Sequence, residues 1–166
     1  TLTPAQTWGT ALAGACFLRH AELRKAVLAD AMAAGITDAT IDDARASASI
    51  MGMNTVYYRF RHMVGKPSYG QRPARLRMQR MAQPLSSKAD FELMSMACAV
   101  LAGCEMCVKA HEASILQHGL TEDHVHDAVR IAAVLNGVVN GLATAHAADA
   151  AAGADILPAP DGQVNI

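Results

Sequence analysis

Residues 91–119 read FELMSMACAVLAGCEMCVKAHEASILQHG, two helical patterns joined at a glycine. The first, up to Gly103, is apolar or small apart from Glu92, so a helix here is buried nearly all round and carries that carboxylate inward. A buried carboxylate needs a partner or a proton. Beyond Gly103, Cys104 and Cys107 open the second pattern, where unpaired backbone N–H groups and the positive end of the helix dipole favour a thiolate. On a helix, Cys104, Cys107 and His111 stand at i, i+3 and i+7 and share one face, which lets the imidazole serve as base for the thiols. Val108, not a histidine, follows Cys107, which excludes c-type haem attachment.

Working outward, aromatics make up only 4% of the chain, alanine abounds, and no stretch alternates like a strand. The expected fold class is therefore all-α. Thr3, Pro4 and Gln6 form a capping box with proline at the first helical position. A second pattern, 22–34, stops at Gly35. A third begins after Thr37 or Thr40 and runs to Gly65, with a break or bend expected near Gly52. The connector KPSYGQRP follows, then a short helix over 74–82 that Pro84 ends. Ser87 and Asp90 make a second capping box ahead of Glu92. Gly119 closes the helix of the C-x-x-C pair, Thr121 starts the last helix, and a loose tail is expected over 153–166.

At 166 residues, 52% hydrophobic and 17% charged, the chain has the size and composition of one domain with a real core, residues 1–152. The formal net charge of -1 gives no overall push toward nucleic acid or an anionic membrane. Arg59, Arg61, Lys66, Arg72, Arg75, Arg77 and Arg80 supply seven of the 14 basic residues, and we read them as a solvated or subunit-contact face. Cysteines at 16, 98, 104 and 107 do not form a secreted disulfide framework. Cys16 and Cys98 sit in apolar contexts as inert core thiols, whereas Cys104 and Cys107 are expected to combine exposure with activation. A reducing, cytoplasmic location is expected. No signal-peptide pattern opens the chain, which starts at Thr1, and the one apolar run of membrane-spanning length, in the last helix, is interrupted by His, Asp and Asn. His118, His124, His126 and His146 read as surface or helix-end residues.

One internal echo stands out. A shift of 51 residues lays Gly52 over Gly103, Val56 over Cys107 and Phe60 over His111, so a doubled helical unit that lost its cysteines in the first copy competes with chance in an Ala-rich chain.

The segments GCEMCVKAHE, FELMSMA, QTWGTALAGA, IMGMNTVYYR and RPARLRM together resemble the alkyl hydroperoxidase D (AhpD) family within the carboxymuconolactone decarboxylase-like superfamily. The resemblance covers most of the chain. It implies an all-helical protein of two similar halves, a degenerate one over about 20–83 and an active one over about 84–152, assembled as a homotrimer or larger ring such as a hexamer. It also implies a thiol peroxidase with no bound cofactor, whose Cys104–Cys107 disulfide is reduced by the lipoyl groups of a 2-oxoacid dehydrogenase component and which passes electrons to the peroxiredoxin AhpC. The family's glutamate, two cysteines and downstream histidine fall on Glu92, Cys104, Cys107 and His111. One position departs: where the family often has histidine immediately before the second cysteine, this chain has Met106.

The chemistry expected of these residues is hydroperoxide reduction. Glu92 and His111, with a water between them, activate the dithiol; one sulfur attacks the peroxide and the other closes the disulfide. Cys107, one turn from His111, is favoured as the attacker, but Cys104 stays open. A non-catalytic reading is a zinc site of Cys104, Cys107 and His111 with His118 or another histidine as fourth ligand. A lyase of the wider superfamily is a third reading, weakened by the C-x-x-C pair itself.

Overall fold

The computed structural model describes residues 1–154, with side chains through residue 147. Among these residues the backbone forms eight helices and no strand: α1 Pro4–Leu18, α2 Ala21–Ala33, α3 Asp38–Val64, α4 Pro67–Gly70, α5 Gln79–Ala82, α6 Lys88–Leu101, α7 Glu105–Gln117 and α8 Glu122–Ala154. The all-α expectation agrees with this. Gly153 and Ala154 close α8, and the rest of the expected tail lies outside the described residues.

Helix α6 is the axis, packed by α1, α3, α7 and α8. Every residue from 91 to 99 is buried, which is what a helix without a polar stripe requires of its neighbours. Phe91, Leu93, Met94, Met96 and Cys98 are fully enclosed, each large apolar side chain contributing about 1.5–3 kcal/mol by leaving water. Helix α1 approaches so closely that a Cβ at Gly9 would stand 2.5 Å from Cε of Met94. A second apolar cluster, Leu93, Met96, Ile115 and Ala128, ties α6 to α7 and α8.

The capping box at Thr3 and Gln6 forms as read, with both side chains accepting the reciprocal backbone N–H groups. Helix α3 is capped by Thr37 and by Gly65, whose φ is 64°. It runs through Gly52 without a break. A Cβ there would meet nothing within 4 Å, so the glycine faces open space. Its intrinsic cost of about 1 kcal/mol is carried by the packing of Ala48, Met51 and Thr55 on either side. The glycine break suggested by the 51-residue echo is therefore real only at Gly103.

The short helix expected over 74–82 shrinks to α5, because Arg75 takes φ 52° and interrupts the helical ladder. The connector before it carries one helical turn, α4. Ser87 caps α6 by accepting from the Asp90 N–H at 3.0 Å, but the box is not completed: the Asp90 carboxylate accepts instead from Nε2 of Gln6 at 2.9 Å.

The seven-residue basic cluster is largely consumed within the chain. Arg59 donates to the Ala102 carbonyl at 2.6 Å, Arg61 donates to the Gly70 carbonyl and lies over Tyr57 and Tyr58, and Arg72 stacks on Tyr69. Arg80 pairs with Asp42 and Asp43. The Asp43 side chain is 0% exposed. It accepts from Nε of Arg80 at 2.6 Å and from both N–H and Oγ of Ser86 at 2.7 Å. Burial pushes the Asp43 carboxyl up, but these donors outweigh it and hold the pKa below the ordinary value of 3.8.

In α8, the 26-residue stretch Glu122–Ala147 contains an 18-residue window of mean hydropathy 1.4, long and apolar enough to cross a membrane by length and composition. It also carries Asp127, which pairs with the amino terminus of Thr1 at 3.1 Å and with Arg130 at 3.3 Å. Val134 and Val138 on this helix are exposed, as are Val56, Phe60, Met63 and Val64 on α3.

Candidate active site

The turn between α6 and α7 is built from three contacts. Gly103 takes φ 62°, the left-handed conformation that ends a helix without a Cβ penalty. Its N–H donates to Val100, that of Cys104 donates to Ala99 at 3.2 Å, and Arg59 from α3 holds the Ala102 carbonyl. Chain direction then reverses, and α7 starts.

Cys104 is the N-cap of α7, with φ -97° and ψ 92°, and its side chain makes no capping hydrogen bond. It therefore stands just outside the helix rather than on its face, a correction to the i, i+3, i+7 reading. Cys107 lies in the first turn, and the two form a disulfide with Cα atoms 5.3 Å apart. Both cysteines belong to the start of the helix, where the dipole favours negative charge on whichever sulfur is released as thiolate. The expectation of exposure does not hold: Cys104 is 0% and Cys107 6% exposed. The packing of α3 and α6 against the α7 start encloses them.

His111 follows one turn after Cys107 and is buried. Its Nδ1 lies 2.6 Å from Oε2 of Glu92, a direct contact where the sequence reading expected an intervening water. Oε1 of Glu92 accepts from Nζ of Lys88 at 2.6 Å, and the same ammonium donates to the Met81 carbonyl at 2.7 Å. Burial pushes the Glu92 carboxyl up, but His111 and then Lys88 outweigh it, and the pKa lies below the ordinary 4.5. Glu92 is thus an ionised acceptor. With Nδ1 donating its hydrogen to that carboxylate, Nε2 of His111 is left as the free basic nitrogen.

Cys107 and His111 line a cavity of about 320 Å³ together with Asn54, Tyr58, Met78, Met81, Met106 and Ala110. Its walls are mostly apolar, and helix α3 supplies one of them. Sequence reading missed Lys88, although its i, i+4 spacing to Glu92 was available. Asn54 and Tyr58 left no comparable signal, because only the packing of α3 on α7 brings them to the cavity that Cys107 lines.

The other cysteines are elsewhere. Burial pushes the Cys98 thiol far up, and its Sγ points at the Ala13 carbonyl 3.7 Å away. Burial also raises Cys16, although Arg24 and Arg45 pull against it. His118 sits at the far end of α7, where its Nδ1 is 2.7 Å from the Ser114 carbonyl. Among the described residues no group of three or more His, Cys, Asp or Glu side chains is arranged to hold a metal ion. The sulfurs of the zinc reading are bonded to each other.

The comparisons with known proteins agree with this architecture. Residues 67–150 match the profile of the carboxymuconolactone decarboxylase family. A protein of Anaeromyxobacter sp. (strain K), called alkyl hydroperoxide reductase AhpD, is 53% identical over 158 residues, covering 92% of this chain and 84% of the relative. Proteins of the same name from Solibacter usitatus and Brucella canis are 44% and 43% identical, covering 82% and 87% of this chain and 77% and 82% of their own lengths.

Proposed function

The chain belongs to the carboxymuconolactone decarboxylase family, among its AhpD members, and from that premise we propose that it is an alkyl hydroperoxide reductase that cycles between a Cys104–Cys107 dithiol and disulfide. The observation that carries the reading is the pairing, in one cavity, of Cys107, disulfide-bonded to Cys104, with a histidine whose other nitrogen is held by an ionised glutamate.

In the reduced state Nε2 of His111 takes the proton of Cys107, and the carboxylate of Glu92 stabilises the imidazolium that forms. An ordinary thiol, with pKa about 8.5, is only a few per cent ionised at neutral pH. The thiolate attacks the terminal oxygen of R–O–O–H. The S–O bond forms as the O–O bond breaks; the sulfur becomes a sulfenic acid, and R–O⁻ leaves and takes the proton from His111. Cys104 then displaces water from the sulfenic acid and closes the disulfide. The assignment of Cys107 as attacker is favoured by its place on the cavity wall. A dithiol of lipoyl type restores the pair by exchange, and an AhpC-type peroxiredoxin is a further electron acceptor in this reading. The cycle needs no bound cofactor.

Stoichiometric alkyl hydroperoxide should remove two of the four thiols per chain, and peptide mapping should find them joined as Cys104–Cys107. Unchanged thiol content, or equally fast oxidation of Cys16 or Cys98, would overturn the assignment.

We read the protein as a cytoplasmic homo-oligomer, a trimer or hexamer, that acts on neither nucleic acid nor membrane. The exposed Val56, Phe60 and Met63 of α3 and Val134 of α8 support a second copy as what covers these faces. Light scattering at micromolar concentration should give a multiple of the 17.5 kDa chain mass; a monomer would refute this.

A further inference from the structure

Asn54 is a polar residue of the cavity that the cycle above leaves without a task. It stands on α3, one helical turn before Tyr58, and is 5% exposed. Its Oδ1 is buried and has no hydrogen-bond partner. An orphaned buried acceptor is a standing cost to the fold, and a leucine at this position would fill similar space without it. Positions that keep such a group against the interest of stability are typically ones where it serves a site.

The surroundings say which site. Asn54 borders the same cavity as Cys107 and His111. With the carboxamide oxygen sealed in the protein, Nδ2 is the polar atom that Asn54 has left to serve the cavity. The other walls, Tyr58, Met78, Met81, Met106 and Ala110, offer mainly carbon and sulfur surface, and methionine side chains adapt to irregular apolar ligands. A volume of about 320 Å³ is at the small end for a ligand pocket.

We propose that Asn54 is a catalytic residue that donates an Nδ2 hydrogen to the peroxide oxygen bearing the organic group, and that the methionine-lined wall seats that group and selects organic hydroperoxides over hydrogen peroxide. The proposal rests on the thiol-peroxidase reading. As the Cys107 sulfur bonds to the terminal oxygen and the O–O bond breaks, negative charge gathers on the oxygen attached to carbon. A fixed donor aimed at that atom meets charge present only in the transition state. His111 supplies the proton to the departing alkoxide; Asn54 keeps both of its own. Hydrogen peroxide has no organic group to seat against Met78 and Met81, so the approach to Asn54 is not fixed for it.

The test compares wild type with Asn54→Leu and Asn54→Ala in single-turnover oxidation of the reduced protein by cumene hydroperoxide and by hydrogen peroxide. Iodoacetamide alkylation across pH is followed alongside. Expected is a fall of about 10²-fold in the cumene hydroperoxide rate for both variants, a smaller fall for hydrogen peroxide, and an alkylation profile like that of wild type. Asn54→Leu should also melt no lower than wild type, since it removes an unpaired polar atom. Oxidation of Asn54→Leu at the wild-type rate, or an alkylation rate that falls as far as the peroxide rate, would overturn the role. Met78→Ser should slow cumene hydroperoxide and spare hydrogen peroxide; equal slowing of both would overturn the seat. If wild type itself forms no disulfide with either peroxide, the peroxidase reading fails and this inference falls with it. That outcome is distinct from an active wild type with an indifferent Asn54.

Discussion

Glu92→Gln should slow peroxide turnover by about 10²-fold or more, because the general base His111 loses the charge that supports it, and leave a folded protein. The substitution keeps the shape and an acceptor for Nδ1 of His111, now 2.6 Å from Oε2. It removes the negative charge that stabilises the imidazolium when His111 takes the Cys107 proton, so the thiolate becomes less populated and the pH profile of iodoacetamide alkylation moves upward. The stability consequence has the opposite pH sense to a base's. The folded pKa of Glu92 lies below its ordinary 4.5, so the fold favours the ionised form. That stabilisation is fully present above about pH 4.5 and disappears as pH falls through the depressed value. Wild type should therefore lose stability on acidification over a range where Glu92→Gln loses less. A wild-type alkylation profile in Glu92→Gln would remove the carboxylate from the mechanism.

Asp43→Ala should cost about 2–4 kcal/mol of unfolding free energy without touching the sulfurs. Three donors converge on this fully buried carboxylate. Of these the Ser86 N–H and hydroxyl lose their partner outright, while the partly exposed Arg80 can turn to Asp42 and to water. Asp43→Asn, which retains an acceptor oxygen, should lose less. Urea denaturation at neutral pH checks both. A loss below about 0.5 kcal/mol for Asp43→Ala, the range of ordinary surface changes, would mean that the 71–87 connector is not anchored there. Because the Asp43 pKa also lies below its ordinary 3.8, this contribution too fades only in acid.

The helical elements and the disulfide-bonded pair were legible in the sequence because those signals are local. The capping box at Thr3, the left-handed glycines 35, 65, 103 and 119, and the absence of polar residues around α6 each act over one or two turns. Glu92 and His111 were legible for the same reason: a lone charge in an apolar helix must meet something, and a histidine one turn beyond a cysteine shares its face. What was missed depends on long-range contact. Nothing near Asp43 indicated that Arg80 and Ser86 would reach it, and Asn54 and Tyr58 border the cavity only because α3 packs on α7. The break expected at Gly52 did not form because glycine's backbone freedom permits a break without requiring one. Cys104 was placed one position too far into α7, a boundary that side-chain spacing does not fix.

Lys88 has consequences for how this site can change over time. Its ammonium bonds at once to the Glu92 carboxylate and to the Met81 carbonyl, so one side chain sets both the acidity of the base network and the position of a methionine on the cavity wall. Substitutions at Lys88, Met81 and Glu92 should then be non-additive: a change harmless in one background becomes costly in another. A lineage drifting toward a different hydroperoxide cannot reshape the wall here without also retuning its chemistry, and pocket shape and thiol reactivity will be inherited as a coupled trait.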